Sequence, residues 1–169
     1  MKDVIRPATA KDALSIHNLH TRSVRVLCSA DYPEEIIEGW LQGRSPEGYV
    51  GIAKQEMYVC ERDGAVVGFS HVRSDMLIAL FVDPDYARQG IGRNLFEHAR
   101  RIIRRHTSKP VKFESTLTAA PFYERCGCRR LRESTIRKNN VYVKTVWMAL
   151  PERSEPIAGA SKEMSKKEL

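Results

Sequence analysis

Residues 76–94 constrain the fold more tightly than any other stretch of the chain. An unbroken apolar run from Met76 to Val82 meets the turn Asp83-Pro84-Asp85. A loop carrying Arg88, Gly90, Gly92 and Arg93 then opens directly into an amphipathic helix. Strand, tight loop and helix N-terminus in that order aim several free backbone N–H groups and the positive end of a helix dipole at one place, which suits a phosphate group. Gly90 and Gly92 lack a Cβ, so a bulky anion can approach the backbone, and the flanking arginines can add charge-assisted contacts. The local chemistry points to a pyrophosphate-bearing ligand.

Two familiar phosphate loops do not fit. No Gly-Lys-Ser/Thr closes the segment, which excludes the P-loop pattern. The glycine spacing is Gly-x-Gly without a third glycine and lies mid-chain, which argues against a dinucleotide-binding βαβ unit. A strand–helix turn that needs glycine for geometry alone is the remaining alternative.

The rest of the chain reads as one α+β domain over residues 1–150 with a mixed sheet. A first strand spans 3–7. Thr9-x-x-Asp12 has the form of a capping box ahead of a helix bearing Leu14, Ile16, Leu19, Val24 and Leu27. Pro33 begins a second helix with Ile36, Ile37, Trp40 and Leu41, and Ser45-Pro46-Glu47 begins a short one to about Gln55. Strands at 57–62 and 65–73 are turned by Asp63-Gly64. The unbroken apolar run 76–82 reads as a central strand buried on both faces. Helix 91–106 sets Ile91, Leu95, Phe96, Ala99, Ile102 and Ile103 on one face. Strand 111–115, helix 118–126 and strands 128–137 and 141–149, joined at Lys138-Asn139-Asn140, complete the order. Residues 151–169 lack apolar periodicity and read as a flexible polar tail.

Charge is unevenly divided. Residues 1–85 carry 9 Lys/Arg against 13 Asp/Glu, net −4, whereas residues 86–150 carry 15 against 4, net +11. The basic half begins with the phosphate loop, and Arg100, Arg101, Arg104, Arg105 and Lys109 extend it along the helix. A solvated helix face explains most of these arginines, although a basic half is also a footprint of nucleic-acid binding. The helix has few aromatics beyond Phe96, so a nucleic-acid partner is not the expectation. No apolar run approaches the length of a membrane helix. The start of the chain lacks a signal-peptide apolar region, so a cytoplasmic location is expected. The four cysteines are expected to be reduced, with Cys60 in a strand core. Cys126-Gly-Cys128 has no companion pair, and no metal is expected.

Two segments in this order carry a family resemblance. Leu80-Phe81-Val82-Asp83-Pro84 followed by Gly90-Ile91-Gly92, and Ser115 through Cys128 with its Phe122-Tyr123-Glu124 core and closing Gly127, resemble the acetyl-CoA signature and the later strand–loop–helix element of the Gcn5-related N-acetyltransferases. Ala87 stands where that signature asks for Gln or Arg, with Arg88 and Gln89 directly after it. Cys128 replaces the usual aromatic after the glycine. The resemblance covers roughly residues 3–149. It implies a GNAT-like sheet with splayed central strands and an acetyl-CoA-dependent transfer to a primary amine by direct attack in a ternary complex.

Site roles follow from that resemblance. Leu80, Phe81 and Val82 map to the strand that binds the pantetheine arm, where a backbone N–H can also stabilise the tetrahedral oxyanion. Arg88, Gln89, Gly90, Ile91, Gly92 and Arg93 map to the pyrophosphate loop. Tyr123 matches the acid that protonates the departing thiolate, and Phe122 borders the donor. For the base, Met76 occupies the position of the glutamate many relatives use. Glu114 at the end of the next strand is the first candidate, Asp75 the second, and a water relay a third option. His71 reads more simply as a hydrogen-bonded strand residue. The acceptor side maps to residues 25–45, where Cys28, Asp31, Tyr32, Glu34, Glu35, Glu38 and Trp40 form either an acidic, aromatic rim for a cationic amine or an ordinary solvated helix with Trp40 in the core. A small-molecule or peptide amine is the expected acceptor. A non-catalytic acetyl-CoA-binding module, an acetyltransferase acting on charged tRNA, and a homodimer formed through the last strands stay open at this point.

Overall fold

The structure, a computed structural model, describes residues 2–151. The elements run β1 (Asp3–Pro7), α1 (Ala13–Leu27), α2 (Glu34–Leu41), β2 (Met57–Arg62), β3 (Ala65–Arg73), β4 (Met76–Val82), α3 (Ile91–His106), β5 (Lys112–Thr116), α4 (Ala120–Arg125), β6 (Arg129–Lys138) and β7 (Val141–Ala149). The proposed tail beyond residue 151 lies outside the described residues.

The α+β class holds, and the sheet divides in the middle. Strands β1-β2-β3-β4 form one antiparallel sheet and β5-β7-β6 a second. The crossover through α3 returns the chain so that β5 lies beside β4 without pairing with it. The central strands are therefore splayed, and the strands expected at 3–7, 57–62, 65–73 and 76–82 fall on those residues. But β4 is not buried on both faces: Met76 and Ile78 are exposed because no helix covers that end of the strand's outer face.

Apolar side chains hold the two sheets together across the split. On one face α3 buries Ile91, Leu95, Phe96, Ala99 and Ile103. Its inner residues join Leu77 of β4, Phe113 of β5, Tyr123 of α4 and Met148 of β7 in one cluster. Each such side chain contributes roughly 1.5–3 kcal/mol of burial. On the other face α1 and α2 pack Val24, Tyr32, Ile37 and Trp40 against Val143 of β7, while Ile16 and Leu19 of α1 meet Val59 and Phe69 of the first sheet.

Asp12 closes the turn that leads into α1, as the capping-box pattern implies: its Oδ2 accepts the Thr9 N–H at 2.7 Å and an Arg6 Nη1 hydrogen bond at 2.8 Å. These bonds, Arg6 foremost, hold the Asp12 carboxyl down at about 2. The helix expected from Ser45 to Gln55 shrinks to a 3-10 turn at Pro46–Gly48. Gly48 and Gly51 interrupt that segment, and Gln55 adopts a positive φ of 57°, so the helix cannot propagate. Cys60 is buried in β2, and all four cysteines are free thiols.

Tyr32 ties the loop after α1 to the second sheet. Its hydroxyl donates to the Lys144 carbonyl at 2.6 Å and accepts the Leu117 N–H at 2.8 Å. Burial pushes this phenol up to about 12, so it stays protonated. Tyr32→Phe leaves both backbone groups unpaired. The expected loss is about 2 kcal/mol in urea unfolding, and a loss below a few tenths would contradict the bridging role.

Candidate active site

The split exposes one edge of β4, and the ladder with β3 decides which groups it presents. The register shifts between His71 and Val72, so Ala79 lies opposite His71, Leu77 lies opposite Val72, and Ile78 is left over as a bulge. The Asp83 N–H donates to the Val67 carbonyl at 2.9 Å. Antiparallel alternation from that bond turns the backbone groups of Phe81 toward Phe69 and those of Leu80 and Val82 toward the open edge. The three residues mapped to the pantetheine arm thus separate into two with free backbone groups and one, Phe81, whose ring forms a wall on the α1 side. The bulge was not legible in the sequence, because an unbroken apolar run carries no alternation to interrupt.

The open edge leads straight to the glycine loop. Asp83 caps the turn by accepting the Asp85 N–H at 2.9 Å, and Arg22 of α1 clamps Asp83 and Asp85 at 2.6 and 2.8 Å. Gly90 is the N-cap of α3 with φ 85°, a left-handed conformation. The first helical bond runs from the Asn94 N–H to the Gly90 carbonyl at 3.0 Å, leaving Ile91, Gly92 and Arg93 with N–H groups that have no intrahelical acceptor. A Cβ on Gly92 would lie 3.4 Å from the Phe122 ring and 3.6 Å from a Val82 methyl, so strand edge, loop and Phe122 meet here. Arg88, with φ 61°, and Arg93 are exposed; among the described residues the one side-chain hydrogen bond either makes is a long one, 3.4 Å, from Arg93 to the Arg125 carbonyl. Gln89 takes a different part from the one mapped to it. Its Oε1 accepts from Arg62 at 2.6 Å and its Nε2 donates to the Asp85 carbonyl, so it braces the loop.

Tyr123 is 4% exposed, packed edge-on against Phe96, Phe113 and Phe122. Burial raises its phenol well above the ordinary value, so it carries its proton throughout the physiological range. Glu114 is half-buried on the face of the second sheet turned toward α1 and α2, and its Oε1 accepts from the Thr145 hydroxyl at 2.6 Å. Asp75 sits exposed in the β3–β4 turn and pairs with nothing among the described residues, so geometry separates it from Glu114 and Tyr123. His71 is a strand residue bonded to Glu56 at 3.0 Å, which meets the simpler expectation. On the acceptor side, Tyr32 and Trp40 are each 5% exposed in the core, Glu38 pairs with Arg25, and Glu34 and Glu35 face solvent. The aromatic, acidic rim is absent among these residues, and the ordinary-helix alternative describes them. A surface groove of about 430 Å³ between α2 and the β6–β7 turn, lined by Arg25, Glu35, Glu38 and Asn140, lies outside the cleft and includes none of the donor-loop residues.

A cluster that sequence reasoning missed lines the α1 side instead. His20 of α1, 6% exposed, lies 4.0 Å from Phe81 between ring centroids. Its Nδ1 is 2.7 Å from Arg44 Nη2 and 3.1 Å from the Tyr49 hydroxyl. A guanidinium only donates, so Nδ1 accepts and the ring proton resides on Nε2. Burial first, then the positive charges of Arg44 and Lys138, hold the His20 pKa well below 6.5. Lys138, half-buried at the end of β6, is lowered by burial and by Arg44, with Glu114 opposing. One signal was available: His20 falls at helical spacing from Ile16 and Val24, on the apolar stripe of its helix. Among the described residues, no three His, Cys, Asp or Glu side chains converge to hold a metal ion.

Comparison with known proteins agrees with this geometry. The family described as Acetyltransferase (GNAT) domain matches residues 28–149. An uncharacterized N-acetyltransferase of Escherichia coli, YafP, is 25% identical over 127 residues, 75% of this chain and 81% of that protein. The crystal structure of a GCN5-related N-acetyltransferase from Rhodopseudomonas palustris superposes with a TM-score of 0.76 at 21% identity, covering 88% of this chain and 95% of that one. PaiA N-acetyltransferase from Thermoplasma acidophilum, solved in complex with coenzyme A, gives 0.69 at 18% identity, covering 88% and 98%.

The His20 environment has a pH signature. The unfolded chain takes up a proton near pH 6.5 and the folded one does not, so stability is full above 6.5 and declines as pH falls below it. His98, lowered chiefly by burial, adds in the same direction. Long-range 1H–15N spectra should show His20 neutral, with no midpoint between pH 6 and 8, and His20→Gln should flatten part of the decline. A His20 midpoint at or above 6.5 would contradict the geometry.

Proposed function

The chain belongs to the acetyltransferase (GNAT) domain family, and from that premise we propose that it transfers the acetyl group of acetyl-CoA to a primary amine of a small-molecule or peptide acceptor. The observation that carries the reading is the continuity of the unpaired β4 edge with the left-handed Gly90 cap of α3. That edge offers hydrogen bonds to an extended amide chain at Leu80 and Val82. The α3 N-terminus, with Arg88 and Arg93, offers them to a pyrophosphate. The coenzyme A bound to the PaiA relative supports the same donor class here.

The chemistry follows from the groups at hand. The acceptor nitrogen, once neutral, attacks the thioester carbonyl, and a new C–N bond forms as the carbonyl π pair moves onto oxygen. A backbone N–H on the open β4 edge stabilises that oxyanion, an effect of about 3–4 kcal/mol in comparable sites. The C–S bond then breaks as the carbonyl re-forms, and the pair leaves on sulfur and takes a proton from Tyr123. The attacking nitrogen sheds its extra proton to water, and the tyrosinate is reprotonated from solvent. Because burial keeps this phenol protonated, it is always in the donating form. Glu114 is the base, directly or through water, and Thr145 orients its carboxylate. Asp75 is set aside because it is solvated in a turn.

Titration calorimetry with acetyl-CoA tests the donor site. The wild-type protein should bind, and Gly90→Asp should weaken binding by at least ~30-fold, about 2 kcal/mol. A Cβ at Gly90 meets open space but its φ of 85° strains any side chain, so the fold of the variant is verified by circular dichroism before titration. Gly90→Ala serves as the control that strains the loop without adding a carboxylate. Failure of folded wild-type protein to bind would overturn the reading. With any amine that supports turnover, Tyr123→Phe should lower kcat about 100-fold or more with little change in donor affinity.

A further inference from the structure

The α1 side of the cleft holds two cations without a counter-ion. Arg44 spends one Nη on neutral partners, His20 and Tyr49, at 2.7 and 3.1 Å. Its Nε is buried and donates to nothing among the described residues. No ion pair to Arg44 or Lys138 forms among the described residues. Half-buried cations of like sign kept close together are unfavourable, and the one neighbouring carboxylate, Glu114, forms an ion pair with neither among the described residues.

The fold nevertheless fixes them in place. Arg44 is pinned by His20 and Tyr49. Asn139, next to Lys138, donates to the carbonyls of Gly39 and Gln42 at 2.9 and 2.8 Å, which docks the β6–β7 turn onto the segment carrying Arg44. Glu114 and Lys138 lie on the same face of the second sheet, and the Glu114 carboxylate is within electrostatic reach of Lys138.

We propose that the acceptor amine also carries a carboxylate, and that Arg44 and Lys138 bind it on the α1 side of the β4–β5 cleft. Arg44 and Lys138 contribute +2, Glu114 −1 and neutral His20 nothing; an acceptor ammonium would pair with Glu114, and its carboxylate would supply the anion that Arg44 lacks. The guanidinium fork and its unused Nε–H match a planar carboxylate. The acceptor is therefore amino-acid-like, with its amine toward Glu114 and its carboxylate toward Arg44. The amine half rests on the acetyltransferase reading; the anion site does not.

The test is NMR of the Arg44 Nε–H resonance in full-length protein loaded with coenzyme A, titrated with acetate and, separately, acetamide at constant pH and ionic strength. Acetate should move the resonance saturably and acetamide should not. Lys138→Gln, a half-exposed position whose fold is verified in the same spectra, should weaken acetate at least threefold. An acetate response no larger than that of acetamide, or one unchanged in Lys138→Gln, overturns the proposal. If the protein does not take up coenzyme A, the donor reading falls, and the titration of the unloaded protein still decides the anion site.

Discussion

Everything functional in this molecule depends on two neighbouring strands that do not pair. Backbone groups left unpaired in an interior are costly, so a gap between β4 and β5 persists only if something else holds the sheets together and something polar meets the exposed edge. The α3-side cluster, from Leu77 across Phe96 and Phe113 to Met148, supplies the first. On the opposite face the Tyr32 hydroxyl, bridging Lys144 and Leu117, ties the loop after α1 to the second sheet, while α1 itself packs on the first. The bulge at Ile78 shifts the register of β4 within its pairing with β3. What meets the edge is left to solvent or to a ligand with amides of its own.

Local signals made most of the fold legible. Alternation and Asp63-Gly64 placed β2 and β3, the apolar stripe placed α3, and Thr9-x-x-Asp12 placed the entry to α1. The glycine loop was legible because left-handed φ at Gly90 and close approach at Gly92 leave a trace in residue type. Division of the sheet was implied only by resemblance, since no residue of β4 or β5 announces a missing hydrogen bond. The bracing part of Gln89 was not legible for a related reason: its type suits a phosphate contact, and nothing in the loop announces that Arg62, 27 positions earlier, holds its side-chain oxygen.

The acceptor side was the least legible part, and the reason is burial. Residues 25–45 are rich in acids and aromatics, which suggested a rim. Trp40 and Tyr32 instead satisfy the core between α2 and β7, and the acids fall on the solvent face of a short helix. His20, Arg44, Tyr49 and Lys138, the groups that cluster beside Phe81, come from four separate segments. No spacing rule joins them; only the docking of the β6–β7 turn on the segment after α2 does.

The same geometry divides the basic surplus of residues 86–150 by function. Arg88 and Arg93 flank the donor loop, while Arg100 pairs with Glu97 and Arg104 bonds the carbonyls of Lys109 and Pro151. Lys138 alone of that group reaches the α1 side of the cleft, where it joins Arg44 from the acidic half. In the proposed reading, donor and acceptor anions would be met by different cations on opposite sides of one strand. Phe81, with its ring against His20 and its neighbours' backbone groups on the open edge, separates them. A substitution there would disturb both sides at once, whereas changes at Arg44 or Gly90 act on one side each.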